Sequence, residues 1–156
     1  MFHKRRYVPI NPQKYSGDSS NIVMRSSWET RFAKWCDINP QIVRWSSEET
    51  VIPYICPTDN KLHRYFIDFK IKVQQKDGLT RTYLIEIKPA KQSKEPKQRK
   101  RITKQYIQEV MTWGVNCAKW KAAIEYCKDR KWEFIVMTSV DGTEFKHLTE
   151  NDLILT

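Results

Sequence analysis

Hydrophobic and polar side chains alternate along two neighbouring stretches near the middle of the chain, residues 64–73 and 82–88. Alternation places successive side chains on opposite faces, so each stretch is predicted to be a β-strand with one apolar face. The dipeptide Asp77-Gly78 between them is typical of a hairpin. The predicted apolar face consists of Tyr65, Ile67, Phe69, Ile71 and Val73 in the first strand and of Tyr83, Ile85 and Ile87 in the second.

The length of the hairpin loop sets which residues face each other. A two-residue loop would pair Ile67 with Lys88 and place an apolar side chain beside a charge. A three-residue loop, Lys76-Asp77-Gly78 with a left-handed Gly78, keeps one face wholly apolar and is therefore predicted. Its pairs are Ile71 with Tyr83, Phe69 with Ile85, Ile67 with Ile87, Phe66 with Lys88 and Asp68 with Glu86.

This register brings the carboxylates of Asp68 and Glu86 together on the second face. Like charges directly opposite each other repel, at a cost of roughly 0.2–1 kcal/mol on an exposed sheet and more where water is excluded. Two interpretations stay open: neutralisation by Lys88, Lys70 or solvent, or a divalent cation held by the two acids with Lys88 beside it. Mg²⁺ prefers carboxylate oxygens and retains several waters, so two acids are enough protein for a site.

The segments before the hairpin predict a helix and further strands. Ser26 or Ser27 caps a helix that Asn39-Pro40 ends, and the Ser-Ser-Trp-Glu start fits a capping box. Residues 42–45 and 50–55 are predicted to be strands, the second at an edge because it contains Pro53.

The segments after the hairpin predict two helices and a last strand. The first helix runs from about Lys100 to Trp113 and ends at Gly114, and Asn116 caps the second. Residues 132–137 form the last strand. The order of elements predicts an α/β sandwich with a mixed central sheet flanked by helices.

The excess of basic residues predicts an anionic partner. The 156 residues include 28 lysines and arginines against 18 acids, a net charge of +10. Nucleic acid is the expected partner, and a solvated loop is the plainer alternative. The cations cluster in residues 1–24, predicted to be an extended basic arm before a single domain of residues 25–156, and again after Lys88. The second cluster, the predicted DNA-binding residues, is Lys91, Lys94, Lys97, Arg99, Lys100, Arg101 and Lys104.

Composition also argues against two other classes of protein. No apolar run approaches the length of a membrane span, and the N-terminus lacks a secretory segment, so no membrane partner is expected. The four cysteines show neither a Cys-x-x-Cys motif nor a Cys/His spacing typical of zinc sites. We therefore expect no structural zinc, and reduced, partly buried thiols in a cytosolic compartment.

The central motif resembles that of the PD-(D/E)XK nucleases. Asp68 is followed on the next strand by Glu86-Ile87-Lys88, with Ile67 where the eponymous proline would lie. In that family a helix before the sheet often supplies a further acid to the metal. The resemblance therefore implies that Glu29 reaches the ion, in competition with its role in the capping box. It also implies the restriction-endonuclease-like αβββαβ core.

Longer matches widen the resemblance to residues 14–138. Arg25-Ser26-Ser27-Trp28-Glu29, Arg64-Tyr65-Phe66-Ile67-Asp68 and Thr112-Trp113-Gly114-Val115-Asn116 resemble the head-completion protein family of T-even-type tailed phages. More loosely, the core is similar to TnsA-type transposon endonucleases. This implies a late assembly factor acting on DNA and on portal or other head proteins. Its location would be the host cytoplasm during assembly, with retention in the virion head left open.

The resemblance implies a Mg²⁺-dependent DNA endonuclease or end-trimming enzyme, with Mn²⁺ able to substitute. The predicted catalytic residues are Glu29, Asp68, Glu86 and Lys88, of which the three acids are the metal ligands. Two alternatives stay open because a fold alone does not fix function. One is a non-catalytic head-completion protein that binds DNA and portal or capsid proteins, and the other is a junction-resolving nuclease.

Overall fold

The computed structural model describes residues 4–138, which fold around a four-stranded sheet. Two short 3₁₀ turns, Pro12–Lys14 and Ala90–Ser93, supplement two α-helices and eight strands in the described residues. The elements are β1 (Arg5–Tyr7), β2 (Ile22–Met24), α1 (Ser27–Ile38), β3 (Ile42–Ser47), β4 (Val51–Ile55), β5 (Leu62–Phe66), β6 (Phe69–Gln74), β7 (Thr80–Ile87), α2 (Lys104–Arg130) and β8 (Glu133–Met137).

The central sheet has the order β3-β6-β7-β8 and is mixed. β6 is antiparallel to both β3 and β7, whereas β7 and β8 are parallel because α2 crosses over between them. The succession α1, β3, β6, β7, α2, β8 is the predicted αβββαβ core. The α/β fold class with a mixed sheet flanked by helices is thus confirmed, with the β4–β5 hairpin inserted between the first two core strands.

The sheet separates two hydrophobic clusters. On one face Phe32 of α1 packs edge-on against Phe69 of β6, with ring centroids 4.7 Å apart. On the other face Leu84 of β7 packs with residues of α2 and of the β4–β5 hairpin. Both faces of β7 are therefore covered, and the acid it carries at position 86 is 7% exposed.

The predicted hairpin loop is confirmed. Phe69 pairs with Ile85 and Ile71 with Tyr83, and the last pair before the loop is Gln74 with Thr80. Gly78 has a φ of +86°, the left-handed conformation that glycine adopts without a steric penalty.

The first strand of the hairpin is not continuous as predicted, because the chain breaks its strand geometry at Ile67 and Asp68. The segment between β3 and β4 hydrogen-bonds with the backbone of Ile67. The Glu48 amide donates to the Ile67 carbonyl at 3.1 Å, and the Ile67 amide donates to the Thr50 carbonyl at 3.0 Å. β5 consequently pairs with β4 instead of β7. The predicted strand pairs of Ile67, Phe66 and Asp68 with residues of β7 are therefore wrong.

The break also changes which face the residues before it occupy. Tyr65 and Ile67 belong to the cluster with Leu84, whereas Phe69 and Ile71 belong to the cluster of α1. The prediction of one apolar face from Tyr65 to Val73 is wrong for this reason: alternation is conserved only along an unbroken strand.

A single helix replaces the two predicted after the hairpin. α2 continues through Gly114 and Asn116 for 27 residues, from its N-cap Thr103, whose hydroxyl accepts the Tyr106 amide, to a left-handed Lys131. A helical glycine costs about 1 kcal/mol relative to alanine, which the packing of the following turns against the second cluster offsets. Ala118, Ala122, Ala123 and Cys127 contribute to that packing.

The segment predicted to be an extended arm packs against the domain over its described residues. β1 pairs with β2, and Tyr15, Ile22 and Met24 are buried. The buried Asp37 carboxylate at the end of α1 accepts the Tyr7 hydroxyl at 2.8 Å and the amide of Asn11 at 2.9 Å. The division at residue 24 stays a prediction, and residues 139–156 of the predicted domain lie outside the described part of the chain.

None of the helices in residues 4–138 combines the length and the apolar character that crossing a bilayer requires.

Candidate active site

Glu29 lies in the first turn of α1, and the start of that helix fixes its side chain. The Ser26 hydroxyl caps the helix by accepting the Glu29 amide at 3.1 Å. The Glu29 carboxylate turns back and accepts the amide of Arg25, also at 3.1 Å, one residue before the position that a strict capping box uses. Burial raises the pKa of Glu29, opposed by its hydrogen bonds with Ser26 and Arg25.

Asp68 lies at the break between β5 and β6 and is tied to the edge of β7. Its Oδ2 accepts the Ile87 amide at 2.8 Å, so the carboxylate sits beside β7 although the two residues are not a strand pair. Burial and, next, the charge of Glu86 raise the pKa of Asp68, and Glu29 adds to the effect. Asp68 is thus close enough to both Glu86 and Glu29 to be repelled by each of them.

Glu86 is the most constrained of the acids. Its Oε2 accepts the hydroxyl of buried Tyr65 at 2.5 Å, and its Oε1 lies 3.8 Å from the Lys88 ammonium. Burial raises the pKa of Glu86, while the Tyr65 hydrogen bond and the charges of Lys88 and Lys119 act in the opposite direction. Neutralisation by solvent, one part of the first interpretation, does not describe a carboxylate that is 7% exposed.

All four predicted catalytic residues line one open cleft of about 400 Å³. Glu29 reaches it from α1, Asp68 from the strand break, and Glu86 and Lys88 from the end of β7. The cleft is bordered by Arg25 and Gln92 as well. Lys70, the other candidate for neutralising the acids, instead lies over the Trp132 ring at 4.4 Å.

The donor set of this cleft fits a hard divalent cation. Three carboxylates with raised pKa values form a site that favours a proton or a metal ion as the compensating charge. Their oxygens are the ligands that Mg²⁺ and Mn²⁺ prefer, and an open cleft leaves room for the waters such ions retain. The Lys88 ammonium, 3.8 Å from one oxygen of Glu86, supplies a single positive charge against three carboxylates.

The predicted DNA-binding residues begin at the rim of this cleft. Pro89 and Gln92 line it, and the chain then runs through the exposed side chains of all seven cations to the start of α2. Arg99 is partly neutralised by Glu109, at 3.5 Å, and lies near the Tyr106 ring. Their role in binding DNA stays a prediction.

Sequence reasoning missed three residues beside the acids. Arg25 enters the sequence analysis only as part of a matching motif, yet it borders the cleft and pairs with Glu48 at 2.8 Å. Tyr65 was assigned to the opposite face, because nothing in the alternation marks the strand break. Lys119 lies over the Tyr65 ring at 5.4 Å and faces Glu86 from α2, a helix far along the chain.

Comparison with known proteins identifies relatives of the chain. A family model described as TnsA-like endonuclease N terminal matches residues 39–139, from just before β3 through β8. The Head completion nuclease of Enterobacteria phage T4 is 40% identical over 146 residues, covering 91% of this chain and 94% of that protein. No solved structure matches the chain. These matches confirm the resemblance predicted from the motifs. The family model includes Asp68, Glu86 and Lys88 and begins after the helix that carries Glu29.

Proposed function

The chain belongs to the TnsA-like endonuclease N-terminal family, and we propose that it is a metal-dependent DNA endonuclease, or DNA-end trimming enzyme, of phage head completion. The identity with a protein named a head completion nuclease supports the role. The observation that carries the proposal is the convergence of Glu29, Asp68, Glu86 and Lys88 in one cleft. A net charge of +10 and exposed cations beside this cleft suit DNA as the substrate.

Mg²⁺ is the proposed cofactor, with Mn²⁺ able to replace it. Asp68 and Glu86 would hold the ion and Glu29 would complete its protein ligands, since all three are oxygen donors and Asp68 is repelled by both glutamates. When bound, the ion would lower the pKa of a coordinated water toward neutral pH and would offset negative charge on the phosphate.

The protein groups supply position and charge around the reacting phosphate. The Ile87 amide orients Asp68 and the Tyr65 hydroxyl orients Glu86, so both carboxylates are held in place before DNA binds. The Lys88 ammonium would donate to the attacking water or to the developing phosphorane charge. The seven cations from Lys91 to Lys104 would contact phosphates, which hold the duplex without specifying its sequence.

The setting follows the named relative. We propose action on a DNA-filled head in the host cytoplasm during assembly, beside a portal or another head protein. Retention in the virion head would be detected by probing purified particles with an antibody against the chain.

The test is cleavage of supercoiled and linear DNA by the full chain in Mg²⁺, in Mn²⁺ and in EDTA. We expect nicking with either ion, none in EDTA, and none from Glu86→Gln or Lys88→Ala. Glu125→Gln is the matched control, because Glu125 is an exposed acid of α2 whose ion pair within residues 4–138 is with Lys128. Full activity of both cleft variants, with circular dichroism showing them folded, would overturn the assignment.

A non-catalytic head-completion protein is the second candidate, favoured by cations that are exposed whether or not the cleft reacts. It predicts that Glu86→Gln restores assembly in a phage lacking the protein, while charge reversal across Arg99, Lys100 and Arg101 does not. Loss of both would support the enzyme. Preference for branched over linear duplex in the cleavage assay would instead indicate a junction-resolving nuclease.

A further inference from the structure

The turn between β4 and β5 brings a thiol, a carboxylate and an imidazole together. Cys56 follows the last residue of β4, Asp59 lies in the turn, and His63 belongs to β5. The Cys56 sulfur, an Asp59 oxygen and a His63 ring nitrogen all lie within 4.8 Å of one another. This cluster belongs to the β4–β5 hairpin and includes none of the residues that line the acid cleft.

The backbone of the turn holds these groups in place. The Cys56 amide donates to the Lys61 carbonyl at 2.9 Å, and the left-handed Asn60 returns its amide to the Cys56 carbonyl at 2.8 Å. Asp59 Oδ1 accepts the Lys61 amide at 3.0 Å, which leaves Oδ2 directed at His63 Nε2, 2.8 Å away. Two of the three donors are therefore oriented by contacts within the turn itself.

We propose that Cys56, Asp59 and His63 bind a thiophilic divalent cation, and that Zn²⁺ is the best match. Zn²⁺ takes sulfur, imidazole nitrogen and carboxylate oxygen in a four-coordinate site, and three protein ligands leave one position for water. The ion would lie beside the 2.8 Å contact between Asp59 Oδ2 and His63 Nε2 and would be coordinated by both atoms. This proposal reverses the expectation of no structural zinc. That expectation considered Cys-Cys and Cys-His spacings, whereas this set follows a Cys-x₂-Asp-x₃-His pattern.

The surroundings leave the cluster open to solvent on one side. The Thr58 side-chain oxygen lies 3.1 Å from the Cys56 sulfur. Cys56 is only 4% exposed, while Asp59 is exposed and His63 half-buried, so an ion has a route from solvent to a partly protected sulfur.

The position of the cluster gives the ion a structural consequence. Tyr65, which holds Glu86 at 2.5 Å, lies two residues after His63 on the same short strand. A cation joining Cys56 to His63 would fasten the two strands at the turn and so stabilise the hairpin that presents the Tyr65 hydroxyl. This consequence holds whatever reaction the acid cleft performs.

Co²⁺ is the probe for the test, because its thiolate complexes absorb visibly while Zn²⁺ is silent. The metal-stripped full chain is titrated with Co²⁺ in the Glu86→Gln variant. This substitution weakens metal binding in the acid cleft, so that the signal reports the turn. We expect one equivalent to give a thiolate-to-cobalt charge-transfer band and four-coordinate d–d bands, both displaced by Zn²⁺. Cys56→Ser should abolish the charge-transfer band, and His63→Gln should weaken binding about tenfold or more.

Cys117→Ser is the matched control, since Cys117 is an exposed free thiol on α2 and its loss should leave the spectrum unchanged. In the Glu86→Gln background, Zn²⁺ should also raise the melting temperature of the chain, and adding Asp59→Asn should remove that rise. This comparison carries the test if Cys56→Ser fails to fold. A charge-transfer band that persists in Cys56→Ser, or no band at stoichiometric Co²⁺, overturns the proposal. Neither result depends on whether the protein cleaves DNA.

Discussion

The acid cleft and the basic segment beside it, residues 91–104, carry opposite charges and are built in opposite ways. Glu86 is 7% exposed and bonded to Tyr65, and Asp68 is bonded to the Ile87 amide. The seven cations are all exposed, and within residues 4–138 only Arg99 among them forms an ion pair. We expect the contribution of each cleft residue to cleavage to depend on its position. We expect the contribution of the basic segment to DNA binding to depend on the number of its charges. Mutations should therefore act in different ways on the two regions.

Of the further variants that compare the two regions, Asp68→Asn should have the largest effect. The amide keeps the size of the side chain but removes a charge and an oxygen ligand, so turnover should fall by about 10²–10³-fold, as when a preorganised stabilising group is lost. Single-turnover cleavage of a nicked-circle substrate with saturating Mg²⁺ measures it. Asp129→Asn, an exposed site on α2, controls for the loss of one acid. Equal rates for the two variants would remove Asp68 from the site.

Tyr65→Phe should have the next largest effect. It deletes the hydroxyl that holds Glu86 while keeping the ring in its cluster, so Glu86 stays in the cleft with its orientation loosened. Loss of such a supporting contact typically costs 10–100-fold in metal affinity or activity. We expect about tenfold weaker Mn²⁺ binding, measured by electron paramagnetic resonance.

The control for Tyr65→Phe is Tyr126→Phe, which removes a hydroxyl from a half-buried tyrosine of α2. A role for Tyr65 in packing alone predicts unchanged Mn²⁺ affinity in both variants. That outcome would leave Glu86 positioned by β7 itself.

Tyr65 also shows what the sequence could and could not predict. The three-residue loop, the register of β6 with β7 and the αβββαβ order follow from local alternation and turn chemistry. Asp68, Glu86 and Lys88 are predicted as site residues because a short motif in this part of the chain resembles that of a nuclease family, and the structure places them in one cleft. The break at Ile67 depends on Glu48 and Thr50, which are distant in sequence, and no periodicity near Tyr65 records it. The predicted helix end at Gly114 is wrong for a related reason, since tertiary packing overrides the low helix propensity of glycine.

A third prediction separates the regions by the pH dependence of stability without metal. Burial and repulsion raise the pKa values of Asp68 and Glu86 in the folded chain, so the native state binds more protons than the unfolded state. These groups therefore favour folding at pH values below their ordinary pKa, roughly 4, and this contribution is lost as the pH rises through their raised values.

Urea denaturation in EDTA across that window measures the effect. Asp68→Asn should make the free energy of unfolding fall less steeply as the pH rises. In the parent chain, replacing EDTA with Mg²⁺ should also make this fall less steep. Lys97→Ala should leave the pH dependence of the free energy of unfolding unchanged, since the Lys97 side chain is exposed and lies outside the cleft. A steeper fall in Asp68→Asn than in the parent would contradict the described repulsion.

The smallest effects are expected from single cations of the basic segment. Each contact with a phosphate releases counterions, so Lys97→Ala should lower DNA affinity only a few-fold and reduce the slope of log affinity against log salt by about 0.9. Arg99→Ala should do less, because Glu109 already offsets part of its charge at 3.5 Å. Fluorescence anisotropy with Glu86→Gln protein measures binding without cleavage. Losses should add as cations are removed one by one, because independent exposed charges do not share a partner. A single lysine whose removal abolished cleavage at low salt would place that residue with the cleft.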